Sequence, residues 1–130
     1  MHIDHIGIAV SNIEEAAKVY NLMGLEIVNI EEVPSQKVRV AMLPLGESKI
    51  ELLEPTDPES PIQKFLDKKG SGIHHLAVSV DDVAAELDKL KEQGIRLINE
   101  EPVPGAGGAL IAFVHPKETQ GVLLELCQHE

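Results

Sequence analysis

Two histidines and two glutamates recur in this chain at matching places. His5 opens the segment His5-Ile6-Gly7-Ile8-Ala9-Val10, and 70 residues on His75 opens His75-Leu76-Ala77-Val78-Ser79-Val80. Glu51, between Ile50 and Leu52, is matched by Glu125, between Leu124 and Leu126. A carboxylate that interrupts an apolar strand must face a polar partner if it is buried, because an unpaired buried charge is costly. Two imidazoles and two carboxylates at equivalent places in two related halves could converge on one divalent metal, leaving positions open for water or substrate. Taken singly, each histidine could cap a strand edge and each glutamate could be solvated. The recurrence of both types argues against that.

The other polar candidates carry less. His74 should point to the face opposite His75, and His2 and His129 lie near the termini, so these three read as structural or exposed. His115-Pro116-Lys117 suits a turn and could also place two side chains against an anionic ligand. Pro104-Gly105-Ala106-Gly107-Gly108 lacks P-loop spacing; it reads either as a mobile loop or as backbone amides approaching phosphate or carbonyl groups. Cys127 shares a face with Glu125 but adjoins no basic residue in sequence, which predicts a packed thiol rather than a nucleophile. The pairs Glu14-Glu15, Glu31-Glu32 and Glu100-Glu101 read as solvated surface.

The elements that would position these residues follow from the repeat. In each half the apolar period passes from two to 3.6 and back, giving a strand, a helix and further strands. The first half reads as a strand at 3–10, a helix near 12–23 with Ser11-Asn12-Ile13-Glu14 as a capping box, and strands at 26–33, 37–44 and 48–54. A Pro-rich linker with Pro55, Pro58 and Pro61 leads to a short helix near 61–69. The second half reads as a strand at 73–80, a helix at 82–93 capped by Asp81, and strands near 95–99, 109–115 and 121–127. The expected organisation is α+β in a single domain: module one 1–54, linker 55–71, module two 72–130. On the first strand His5, Gly7 and Ala9 share one face, while Ile6, Ile8 and Val10 share the other, which packs against the helix.

Composition bounds the rest. A chain of 130 residues with 43% hydrophobic and 25% charged residues suits one soluble globular domain. No apolar run reaches membrane-spanning length, and the start lacks signal-peptide character, which predicts a cytoplasmic protein with no membrane partner. With one cysteine it forms no internal disulfide and no thiolate zinc cluster. A net charge of −11 and the lack of a basic cluster exclude a phosphate-tracking nucleic-acid surface. Tyr20, Phe65 and Phe113 are the only aromatics, too few for a base-stacking platform.

Paired β-α-β-β-β modules, each giving a strand histidine and a last-strand glutamate, resemble the vicinal oxygen chelate superfamily (glyoxalase/bleomycin resistance/dioxygenase). More narrowly, Asp4-His5-Ile6-Gly7-Ile8-Ala9-Val10, Ser60-Pro61-Ile62, Gly72-Ile73-His74-His75-Leu76-Ala77, His115-Pro116-Lys117 and Gly121-Val122-Leu123-Leu124-Glu125-Leu126 are similar to the methylmalonyl-CoA epimerase family. The resemblance covers nearly the whole chain. It implies a curled mixed sheet around a metal site, with a divalent ion, cobalt ahead of manganese, nickel or zinc, on His5, Glu51, His75 and Glu125. It implies epimerisation of (R)- and (S)-methylmalonyl-CoA through α-proton removal and return, with a metal-stabilised enolate, an acyl-CoA substrate and a homodimer.

Inversion needs proton-transfer groups on opposite faces of the carbon. Glu125 is the first of them under the resemblance. Some relatives carry a second glutamate on the third strand, where this chain has Val40, so Glu51 or a water is left for the opposite face. Glutamine stands at the Glu51 position in some members. Lys37, Arg39, Lys64 or Lys117 would have to form a local positive edge for coenzyme A.

The nearest rival is a glyoxalase I-type lactoylglutathione lyase, which shares the His-Glu-His-Glu set. His115-Pro116-Lys117 stands where glyoxalases usually have Asp-Pro-Asp-Gly, and this favours the epimerases. Glu51 argues against an extradiol dioxygenase, whose iron takes two histidines and one glutamate. A non-enzymatic small-molecule binder would lack the metal set.

Overall fold

The computed structural model describes residues 1–129. Along them run β1 (His2–Ala9), α1 (Ile13–Leu22), β2 (Asn29–Val33), β3 (Val38–Leu45), β4 (Ser48–Pro55), α2 (Pro61–Lys69), β5 (Gly72–Ser79), α3 (Val83–Glu92), β6 (Val103–Pro104), β7 (Leu110–Val114) and β8 (Leu124–Gln128). Short 3-10 turns lie at Ala106–Gly108 and Pro116–Thr119. The chain groups into two compact units, His5–His74 and Met1–Asp4 with the residues from His75 onward, so the boundaries fall inside β1 and β5. Among the described residues no helix is long and apolar enough to cross a membrane.

In the unit His5–His74 the strand order is β2-β3-β4-β1. β1 runs parallel to β4, while β2, β3 and β4 form an antiparallel meander. Alternation sorts the side chains. Val10, Ala41, Leu43 and Leu52, with Ile8 and Ile50, turn one face of the sheet onto Ile13 and Ala17 of α1. The opposite face is left to His5, Gly7, Val40, Met42 and Glu51.

The other unit repeats the plan in the order β5-β8-β7-β6, with β5 parallel to β8. Val80, Ala112 and Leu126 meet Val83 and Leu87 of α3 on one face. On the other face Ala77, Ala109, Ile111 and Cys127 pack together with Phe113 and Val103. Both long helices end the same way: a glycine with positive φ, Gly24 at 96° and Gly94 at 73°, lets the next amide return to the last turn. Leu25 N–H reaches the Tyr20 carbonyl at 2.9 Å and Ile95 N–H the Leu90 carbonyl at 3.0 Å.

The helix starts differ from expectation by one residue. Asn12, not Ser11, caps α1, its Oδ1 accepting from Glu15 N–H at 2.8 Å; Asp82, not Asp81, caps α3, accepting from Ala85 N–H at 3.1 Å. The strand decides this. Val10 N–H is still bound to the Leu53 carbonyl and Val80 N–H to that of Cys127, so each half turns one residue later than the sequence signal. The first helical amide of each half also meets the last strand: Ile13 N–H donates to Glu54 Oε1 at 3.0 Å and Val83 N–H to Gln128 Oε1 at 2.9 Å. Asn12→Ala is expected to cost about 1 kcal/mol in urea unfolding. Ser11→Ala, away from these contacts, should stay within about 0.5 kcal/mol.

The strand expected near 95–99 is not formed. Leu97 makes only an isolated bridge to Val114, and Asn99 takes over the edge of β7 with its side chain, Oδ1 accepting from Phe113 N–H at 2.8 Å. β6 lies instead at Val103–Pro104.

Candidate functional site

His5 and Glu51 stand on adjacent parallel strands. Register pairs Gly7 with Glu51 and His5 with Lys49, so imidazole and carboxylate are diagonal neighbours with the smallest residue beside the carboxylate. On the other flank Met42 of β3 lies opposite Glu51. His5 Nε2 is 3.5 Å from Glu51 Oε1, and Lys49 Nζ is 3.7 Å from Glu51 Oε2.

The second unit reproduces this in detail. Ala77 pairs with Glu125 across parallel strands, and Phe113 flanks Glu125 where Met42 flanks Glu51. His75 Nε2 is 3.2 Å from Glu125 Oε1, and the Phe113 ring meets the His75 ring edge-on at 5.6 Å between centroids. All four residues are buried, between 3% and 6% exposed. Charge placed that deeply must be met by opposite charge or by a cation.

The spacing within each pair tests whether an ion would fit. Two ligands about 2.1 Å from one cation and 90° to 110° apart are separated by about 3.0 to 3.4 Å. The observed separation of 3.2 Å falls in that range and that of 3.5 Å lies just above it, and the donors are imidazole nitrogen and carboxylate oxygen, a set suited to divalent transition metals. The residues present therefore fit a divalent ion. The small residues Gly7 and Ala77 leave space beside each carboxylate.

Val40 lies on the same face of β3 as Met42 and is buried at 2% exposure, so that position holds no acid or base. Arg39 is held by Glu54, Nη1 to Oε2 at 2.7 Å, with Glu14 at 3.8 Å, and is therefore engaged at the start of α1. Lys37, Lys64 and Lys117 are exposed. His115 does what a turn requires, its Nδ1 accepting from Lys117 N–H at 3.1 Å. The glycine segment is a hydrogen-bonded turn, Gly105 N–H to the Ala109 carbonyl at 2.9 Å, and a Cβ on Gly105 would meet Ile111 Cγ2 at 2.8 Å. His74 packs edge-on against Phe65 at 5.0 Å; burial, then the nearby Lys69, lowers its pKa and keeps it neutral.

Two features escape the sequence. Lys49 shares a strand face with Glu51, which alternation alone could have flagged. Asp4 and His129 meet, Oδ1 to Nε2 at 2.7 Å, beside the buried Cys127. The only hint of that is the Cys-x-His spacing at the end of β8.

Comparison with known proteins places the chain in a family. Residues 4–113 match the model of the Glyoxalase/Bleomycin resistance protein/Dioxygenase superfamily. The chain is 42% identical over 129 residues to an ethylmalonyl-CoA/methylmalonyl-CoA epimerase of Cereibacter sphaeroides, covering 97% of this chain and 96% of that protein. It is 41% identical over 128 residues to the mitochondrial methylmalonyl-CoA epimerase of Homo sapiens, covering 97% and 73%. Among solved structures, a glutamate-to-leucine variant of Streptomyces coelicolor methylmalonyl-CoA epimerase, in complex with 2-nitronate-propionyl-CoA, superposes with a TM-score of 0.94 at 38% identity over 98% of this chain and 94% of that one. The chain thus belongs to the Glyoxalase/Bleomycin resistance protein/Dioxygenase superfamily and, within it, to the methylmalonyl-CoA epimerase family.

Proposed function

We propose that this protein interconverts the (R) and (S) forms of methylmalonyl-CoA by moving the α-proton from one face of the carbon to the other. The observation that carries the reading is the duplicated, buried histidine–glutamate pair, in a chain 42% identical to an epimerase across 96% of that protein's length. His5, Glu51, His75 and Glu125 are the proposed ligands of one divalent ion, cobalt ahead of manganese, nickel or zinc. Bound there, the ion supplies Lewis-acid polarisation of the substrate's carboxylate and thioester oxygens.

The chain's own residues do the rest. His5 and His75 offer Nε2 lone pairs to an ion only as neutral imidazoles. Glu125, as carboxylate, takes the α-proton; Phe113 and Ala77 on either side of it in the sheet give it an apolar setting that keeps bulk water from competing for that proton. With Val40 on β3, the opposite face is assigned to Glu51, whose Oε2 has the Lys49 ammonium for charge compensation when it moves. Lys37, Lys64 and Lys117 are the proposed edge for the coenzyme A phosphates. The reading includes one working domain of 130 residues, a homodimer and a cytoplasmic setting; the single cysteine supports the last of these.

Proton NMR of methylmalonyl-CoA in deuterated water tests this directly. α-Deuteration with interconversion of the epimers is expected from the metal-loaded protein. No exchange, with turnover of the hemithioacetal of methylglyoxal and glutathione instead, would overturn it in favour of a lyase.

A further inference from the structure

We infer that Asp4, Cys127 and His129 form a second metal site, selective for a thiophilic divalent cation such as Zn²⁺ or Co²⁺. The three belong to one compact unit, and their ligand atoms all lie within 4.8 Å of one another. Cys127 and His129 alternate by two residues at the end of β8, which puts both side chains on the same side of an extended segment. Cys127 Sγ is 3.5 Å from His129 Nε2. A tetrahedral ion with sulfur at about 2.3 Å and nitrogen at about 2.05 Å holds those two atoms about 3.5 Å apart.

Asp4 completes the set. Its carboxylate is buried at 5% exposure and its Oδ1 is 2.7 Å from His129 Nε2, a hydrogen-bond distance. An ion would take the place of the proton between them, and the gap would open by about 0.7 Å to reach the separation of two ligands. His129 can make that movement because its side chain is 42% exposed, which also gives the ion a path in. Binding sets free the Cys127 thiol proton and the proton shared by His129 and Asp4, both to solvent, and leaves a thiolate, an imidazole nitrogen and a carboxylate oxygen with one coordination position open. A sulfur-containing set of this kind disfavours Mg²⁺ and Ca²⁺. The histidine–glutamate pairs contain no sulfur, so the two kinds of site differ in spectroscopic signature whatever reaction the protein catalyses.

The experiment is a Co²⁺ titration of the metal-free 130-residue chain, followed by near-ultraviolet absorption and by elemental analysis after gel filtration. A thiolate-to-cobalt charge-transfer band is expected, with binding beyond one ion per chain. Cys127→Ser should abolish the band and remove the additional ion. His129→Gln, at an exposed position and with circular dichroism to check the fold, should weaken binding read by that band at least tenfold. Absence of the band at saturating Co²⁺, or a band with the same affinity in His129→Gln, would overturn the proposal. Because Cys127 is 1% exposed, its serine variant counts only if its circular dichroism is native, and the glutamine variant decides in any case.

Discussion

Glu125→Gln is expected to slow α-proton exchange of methylmalonyl-CoA by about 10² to 10⁴-fold, the range that a positioned general base contributes. Glutamine preserves the volume and one oxygen, so packing against Phe113 and Ala77 should persist and His75 Nε2 keeps a polar neighbour at the former 3.2 Å contact. What disappears is the capacity to accept a proton at neutral pH. The variant should unfold in urea within about 1 kcal/mol of wild type, since a buried carboxylate replaced by an isosteric amide gives up charge that was expensive to bury. Exchange followed by NMR, with bound metal measured on the same sample, separates base from ligand. Exchange within tenfold of wild type at full metal occupancy would remove Glu125 from the role of base.

Removal of the metal is the second large effect. Stripping the protein with a chelator is expected to lower epimerisation by roughly a thousandfold, because stabilising the charge that develops on the substrate oxygens is worth several kcal/mol. Activity should return when one divalent ion is restored. His75→Ala should reproduce the loss and resist rescue, as it deletes one Nε2 donor and leaves Glu125 Oε1 without its neighbour at 3.2 Å. Stripped protein that retains its full rate would overturn the assignment of His5, Glu51, His75 and Glu125 as ligands of a catalytic ion.

The two histidine–glutamate pairs were legible in the sequence because strand alternation is strictly local. A histidine followed by small residues at every second position, and a glutamate between two large aliphatics, specify a face before any partner is known. The repeat supplied the rest: α1 and α3 have the same burial rhythm, led by Ile13 and Ala17 in one and by Val83 and Leu87 in the other. The helix caps were displaced by a residue because Ser11 and Asn12 both can cap, and the choice falls to a strand hydrogen bond, Val10 to Leu53, formed across 43 positions of sequence. The strand near 95–99 failed for a similar reason: Phe113 N–H is taken by the Asn99 side-chain oxygen, while Ile98 N–H and Asn99 N–H both converge on the one Phe113 carbonyl, so no regular ladder forms. Asp4 and His129 lie 125 residues apart in sequence, beyond any periodicity. The opposite-face base was not legible because the position that could have declared it is Val40.

The start of α1 and the start of α3 are alike in shape and unlike in kind. In the first half the group that receives the leading helical amide is Glu54, a full charge held in place by Arg39; in the second it is Gln128, a neutral dipole. Dissolved ions screen interactions between full charges that are partly open to water and leave a short amide hydrogen bond nearly untouched. Duplicated geometry therefore does not carry duplicated energetics: the start of α1 is sensitive to the ionic strength around it, and the start of α3 is largely indifferent.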